Sequence, residues 1–144
     1  MALDDHHKHF IGMVAQKALI EKDGKILLVQ YPVGDVDGAG GKWDLPGGRL
    51  HMGETATEGL RREVEEEIGA PIAIDGILAT GVNVVREDFK LFFVIYRAHL
   101  VDQDAAVKPE AGEIGKVEWR DKKDFFTLPI IHRGYQEALK DILV

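Results

Sequence analysis

Residues 55–71, TATEGLRREVEEEIGAP, carry both ends of a helix in their own composition. Thr55 followed by Glu58 is a capping box, which predicts a helix beginning near Ala56. Gly69 suits the left-handed residue that ends a helix, and Pro71 forbids continuation. At about 100° per residue, Leu60, Val64 and Ile68 form one apolar stripe and Glu63, Glu66 and Glu67 share another face. Glu65 points the opposite way and reads as solvated. Such a helix has to lay its stripe on a sheet while holding three repelling carboxylates together. A divalent ion relieves that repulsion, and an oxygen-only set suits Mg2+ or Mn2+. The other reading is a solvated acidic face, and the helix alone leaves both open. Ala56 and Gly59 keep a neighbouring face clear, and Gly59 costs about 1 kcal/mol relative to alanine inside a helix. The small residues allow close approach of a ligand or of another backbone, for which Gly47-Gly48 is the candidate.

The surrounding segments supply the sheet. Val14 to Tyr31 reads as a hairpin turning at Asp23-Gly24. Pro32 to Lys42 is a Pro/Gly-rich loop. PIAIDGI, TGVNVV, KLFFVIYRAHL and KVEWR are strand-like, with Val101 to Gly112 a polar loop between the last two. Asp121 to Phe126 reads as a short helical turn. Ile131 to Leu143 reads as a closing helix with Tyr135, Leu139 and Ile142 on one side. The order predicts an α/β fold, a mixed sheet flanked by helices, in one domain over residues 1–144 with residues 1–9 a flexible arm.

The net charge of −7 with no basic run argues against a nucleic-acid polymer as partner. The same charge repels a small anionic substrate unless a divalent metal offsets it. The longest apolar run, Leu91 to Tyr96, is too short to span a bilayer, so no membrane association is expected. MALDDHHKHF lacks the apolar core of a signal peptide, and a cytoplasmic location is the expectation.

The wider spacing is specific. Gly48, five residues, Glu54, seven residues, then Arg62-Glu63-Val64-x-Glu66-Glu67-x-Gly69-Ala70 resembles the Nudix box of the Nudix hydrolases at all seven fixed positions. Ala70 departs from the larger aliphatic residue usual there. The resemblance implies a Nudix α/β/α sandwich with a mixed, curved sheet, and Mg2+- or Mn2+-dependent cleavage of a phosphoanhydride in a nucleoside diphosphate linked to another group. It also implies metal ligation by Glu63, Glu66, Glu67 and the Gly48 carbonyl, orientation of the glutamates by Arg62, and a supporting role for Glu54. Hydrolysis also needs a general base. Glu63 and Glu113 are the candidates, with Glu110 third.

Around the box, Arg49 is placed to touch a substrate phosphate, and Trp43 to stack on a base or to join the core. Trp119, Phe92, Val94 and Tyr96 read as packing. Asp35-Val36-Asp37-Gly38 lacks the twelfth-position glutamate of a calcium loop and reads as a flexible lid. His6, His7 and His9 read as part of the N-terminal arm rather than a metal site. The Trp-x-Leu-Pro-Gly-Gly approach looks most like the group that splits (deoxy)nucleoside triphosphates into monophosphate and pyrophosphate. ADP-ribose or nucleotide-sugar cleavage is the alternative, and a non-catalytic nucleotide sensor a second. Monomer and homodimer are both open.

Overall fold

The computed structural model describes residues 8–34 and 38–143. His6, His7 and the Asp35–Asp37 segment lie outside those residues. The elements run β1 (Gly12–Lys22), β2 (Lys25–Gln30), β3 (Trp43–Asp44), β4 (Gly47–Arg49), α1 (Ala56–Ile68), β5 (Ile72–Arg86), β6 (Phe89–Leu100), β7 (Lys116–Asp121), a 3-10 turn (Lys122–Phe126) and α2 (Arg133–Leu139).

The hairpin forms as the sequence requires. Asp23 and Gly24 both have positive φ, at 51° and 79°, the geometry of a type I′ turn that matches strand twist. The sheet order is β3-β2-β1-β6-β5, with β4 pairing β1 and β7 pairing β2. β1 and β6 are parallel and the other strand pairs antiparallel, so the sheet is mixed. PIAIDGI and TGVNVV join into the single strand β5, because its irregularities at Ile74/Gly76 and Ile77/Ala79 are absorbed as bulges.

Two apolar layers cover the two faces of the sheet. Leu60, Val64 and Ile68 are fully buried on one side against Ala18, Ile20, Tyr96 and Ala98. Each such side chain contributes about 1.5–3 kcal/mol, which holds α1 on the sheet despite its charge. Ala70 joins this layer at 2% exposure, so the smaller residue still closes the helix exit. On the other side Leu19, Phe93, Ile95, Tyr135 and Leu139 form the second layer. α2 is shorter than expected. Its start is set by Trp43 and Ile130, which form a parallel bridge, with the Ile131 N–H donating to the Trp43 carbonyl at 3.0 Å. That backbone is committed to β3, and the helix begins only after His132. Leu143 is buried while Ile142 is only partly so. No helix among the described residues is long and apolar enough to cross a membrane.

Candidate active site

α1 begins and ends where its sequence dictates. Thr55 accepts from the Glu58 N–H while Glu58 accepts from the Thr55 N–H, both at 3.4 Å, and Gly69 closes the helix at φ 71°. The short strand β4 runs beside it, held antiparallel to β1 with Lys17 opposite Gly47 and Gln16 opposite Gly48. The Gly47 N–H donates to Glu67 Oε1 at 2.7 Å. A Cβ on Gly48 would lie 2.8 Å from the Glu63 carboxyl carbon. The Gly-Gly backbone therefore does approach the helix, but at Glu63 and Glu67. The clear face at Gly59 is filled instead by Glu54 and Leu50, which would stand 3.1 and 3.4 Å from a Cβ there.

Arg62 is the hub of the acidic cluster. Its Nε and Nη2 donate to Glu54 at 2.7 and 3.1 Å, a bidentate pair. Nη2 also donates to Glu63 Oε1 at 3.2 Å and Nη1 to Glu66 at 3.3 Å. The hydrogen bond from Arg62 is the main cause holding the Glu54 carboxyl below its usual range. His51, unexplained by the sequence, belongs here as well. Its Nδ1 lies 3.2 Å from Arg62 Nη2. Guanidinium only donates, so Nδ1 is the accepting nitrogen of that contact, and Nε2 faces Glu63 Oε1 at 3.7 Å.

Glu67 differs from its neighbours. It is 7% exposed, and burial pushes its carboxyl up to about 8 against the pull of Lys17 and the Gly47 hydrogen bond. The loop after β6 docks on the end of α1, where helix carbonyls lack partners. The Lys108 N–H donates to the Ile68 carbonyl at 2.9 Å and the Glu110 N–H to the Glu67 carbonyl at 3.2 Å. The Glu113 N–H closes a turn onto the Glu110 carbonyl at 3.2 Å. Desolvation, then the carboxylates of Glu66, Glu113 and Glu63, raise the Glu110 carboxyl above its usual range. Glu110, the third candidate from sequence, therefore lies in the field of both Glu63 and Glu66.

The donor set of Glu63, Glu66, Glu67 and the Gly48 carbonyl is all oxygen and fits a hard divalent cation. Among the described residues, however, no three carboxylates or imidazoles converge as a ready-made metal cluster. The geometry gives the reason: Glu63 and Glu66 are drawn onto Arg62, and Glu67 onto the Gly47 N–H. Each carboxylate offers about four lone-pair sites, so it can keep its N–H donor and still face an ion.

A cavity of about 160 Å³ opens beside the Gly-Gly strand, lined among others by Lys17, Asp44, Arg49, His132 and Tyr135. Arg49 is exposed at its rim, adjacent to Gly48, where a phosphate contact is feasible. Trp43 is not available for stacking. It is 6% exposed within the second apolar layer, and the Arg120 guanidinium covers its ring at 5.3 Å. Trp119 is partly buried against the layer beneath α1, as its strand pattern suggested. Burial lowers the pKa of His132. Lys17, Asp44 and His132 escaped the sequence reading, which gave Tyr135 only a packing place on the closing helix. Only Lys17 left a trace there, as one charge inside the apolar run VAQKALI.

Fold and site together describe an α/β/α domain whose acidic helix is set against a Gly-Gly strand. The NUDIX domain profile matches residues 14–141, and the chain belongs to that family, as a Nudix hydrolase. It is 29% identical over 119 residues to an uncharacterized Nudix hydrolase, YvcI, of Bacillus subtilis (strain 168), covering 78% of this chain and 68% of that one. It is 27% identical over 133 residues to an ADP-ribose pyrophosphatase of Methanocaldococcus jannaschii, covering 90% and 72%. It is 34% identical over 76 residues to an 8-oxo-dGTP diphosphatase of Proteus vulgaris, covering 53% and 62%. Among solved structures, the MutT protein of Methanosarcina mazei Go1 superposes with a TM-score of 0.74 at 25% identity, covering 90% of this chain and 91% of that one.

Proposed function

We propose that this protein hydrolyses a phosphoanhydride bond in a (deoxy)nucleoside triphosphate, releasing the monophosphate and pyrophosphate. The observation that carries the reading is the meeting of the α1 carboxylates with the Gly47-Gly48 backbone. Glu63, Glu66, Glu67 and the Gly48 carbonyl hold the divalent ion, Mg2+ or Mn2+, in this account. When bound, such an ion neutralises charge on the phosphate oxygens and makes a water nucleophilic. Arg62 fixes the carboxylates, with Glu54 fixing Arg62 in turn. Arg49 binds a phosphate at the rim, and the adjoining cavity seats one ring of the nucleoside. In-line attack depends on this positioning more than on covalent chemistry. The proton of the attacking water goes to a carboxylate: Glu63, Glu113, or Glu110, which the field of Glu66 and Glu63 favours.

The relative that aligns with 90% of this chain is an ADP-ribose pyrophosphatase, which favours cleavage of that diphosphate as the second reading. Incubation with dNTPs, NTPs, ADP-ribose, nucleotide sugars and dinucleoside polyphosphates, with and without Mg2+, separates them when products are identified by mass. Monophosphate plus pyrophosphate from triphosphates supports the first reading. AMP plus ribose 5-phosphate from ADP-ribose alone supports the second. No turnover on any substrate by folded, Mg2+-binding protein refutes both and leaves an untried diphosphate or a nucleotide sensor.

A further inference from the structure

Lys17 has no part in the chemistry above, yet among the described residues it is the buried cation. It sits in mid-β1 at 5% exposure. Its Nζ donates to Asp44 Oδ2 at 2.8 Å and to the Gly47 carbonyl at 3.2 Å. The same Oδ2 of Asp44, which is 2% exposed, also accepts from the Tyr31 hydroxyl at 2.5 Å. A buried ion pair of this kind adds little net stability over well-packed apolar side chains. Stability alone therefore gives no reason for it, whereas its position does.

The Lys17–Gly47 pairing sets the ammonium against the peptide that joins Gly47 to Gly48. The peptide before it presents the N–H that grips Glu67 at 2.7 Å. Between the two, Gly47 has φ 135°, and a Cβ there would lie 2.1 Å from the Gln16 carbonyl oxygen. This backbone is pressed on β1, in a conformation only glycine adopts easily. A fixed donor on its carbonyl selects the orientation that serves Glu67 and leaves Gly48 against Glu63. One chain of contacts thus runs Tyr31, Asp44, Lys17, Gly47, Glu67.

We propose that Lys17 is a positioning residue: through the Gly47 carbonyl it fixes the strand on which Glu67 and the Gly48 carbonyl depend, and so tunes the affinity of the carboxylate site for a divalent ion. The inference rests on the metal-dependent reading above, and its primary readout is metal binding rather than turnover. Mn2+ affinity, followed by electron paramagnetic resonance, is compared in the parent, Asp44→Asn and Lys17→Met/Asp44→Asn. The double substitution removes both charges and so leaves no buried ion without its partner. Asp44→Asn retains a side-chain oxygen that can accept from the lysine beside Gly47, and its folding is checked by circular dichroism.

Loss of an outer partner of this kind lowers metal affinity about 10–100-fold. The double variant is expected to show that loss and a matching fall in kcat, with a parent-like circular dichroism spectrum. Asp44→Asn is expected within about threefold of the parent, well short of that loss. If the double variant does not fold, Lys17→Arg replaces it. Arginine keeps a charge beside Asp44, but its planar fork does not reproduce the contact with Gly47, and about a tenfold loss is expected. Parent-like Mn2+ affinity in the folded Lys17 variant overturns the proposal. So does an equal loss in Asp44→Asn, or a rise in KM with unchanged Mn2+ affinity, which makes Lys17 a substrate contact. A parent that binds Mn2+ but hydrolyses nothing refutes the proposed activity, and the Lys17 role is then decided by the titration alone.

Discussion

Replacing Glu67 by glutamine separates what this side chain costs the fold from what it gives the site. Its carboxyl is pushed from 4.5 to about 8, chiefly by burial. The folded protein therefore holds a proton on Glu67 that the unfolded chain has already released above pH 4.5. Stability from this group is fully present below about pH 4.5 and falls as pH rises towards 8. At about 1.36 kcal/mol per unit, the loss across that window is on the order of 5 kcal/mol at most. Glutamine has no proton to lose and can still accept from the Gly47 N–H, 2.7 Å from Glu67 Oε1 in the parent. Urea unfolding in EDTA at pH 5, 6, 7 and 8 measures the difference. Glu67→Gln is expected to be the more stable protein at pH 8 by several kcal/mol, an advantage that shrinks to about 1 kcal/mol at pH 5. Added Mg2+ is expected to stabilise the parent at pH 8 and not the variant. Parallel stability curves for the two proteins from pH 5 to 8 would refute the argument from burial.

Three further substitutions test the geometry. Gly48→Ala pushes only the flexible end of Glu63, so the fold is expected to survive with kcat lowered about 100-fold. Gly47→Ala meets the Gln16 backbone at positive φ and is expected to cost about 3 kcal/mol or more in urea unfolding. Glu110→Gln is expected to lower kcat at least about 100-fold and to remove the acid limb of its pH profile, with Glu113→Gln costing less than about tenfold. The reverse order returns the base to Glu113. Trp43→Ala is expected to lose about 3–5 kcal/mol of stability with KM unchanged, and a raised KM at unchanged stability restores the stacking role.

What the sequence revealed and what it hid follow one physical rule. The ends of α1, its buried stripe and the Asp23-Gly24 turn depend on residues within a few positions of one another, and they stand where the sequence puts them. The Nudix spacing is equally local. The burial of Trp43 depends on Ile130, and the start of α2 on that same bridge, neither of which is written in adjacent residues. The docking of the Glu110 backbone on the end of α1 is a contact across more than forty residues, which adjacent residues do not encode. Lys17 and Asp44 are 27 residues apart, and either one alone reads as ordinary. His51 became intelligible only through the donor geometry of Arg62.

The acidic face of α1 is the proposed seat of both metal binding and hydrolysis. The direct measurement is Mn2+ binding and substrate turnover in the same samples, for the parent and for Glu66→Gln/Glu67→Gln, with folding checked by circular dichroism. The expected result is a folded double variant that has lost at least about tenfold in Mn2+ affinity and about 100-fold or more in turnover. A folded double variant that binds Mn2+ and turns over like the parent would contradict it.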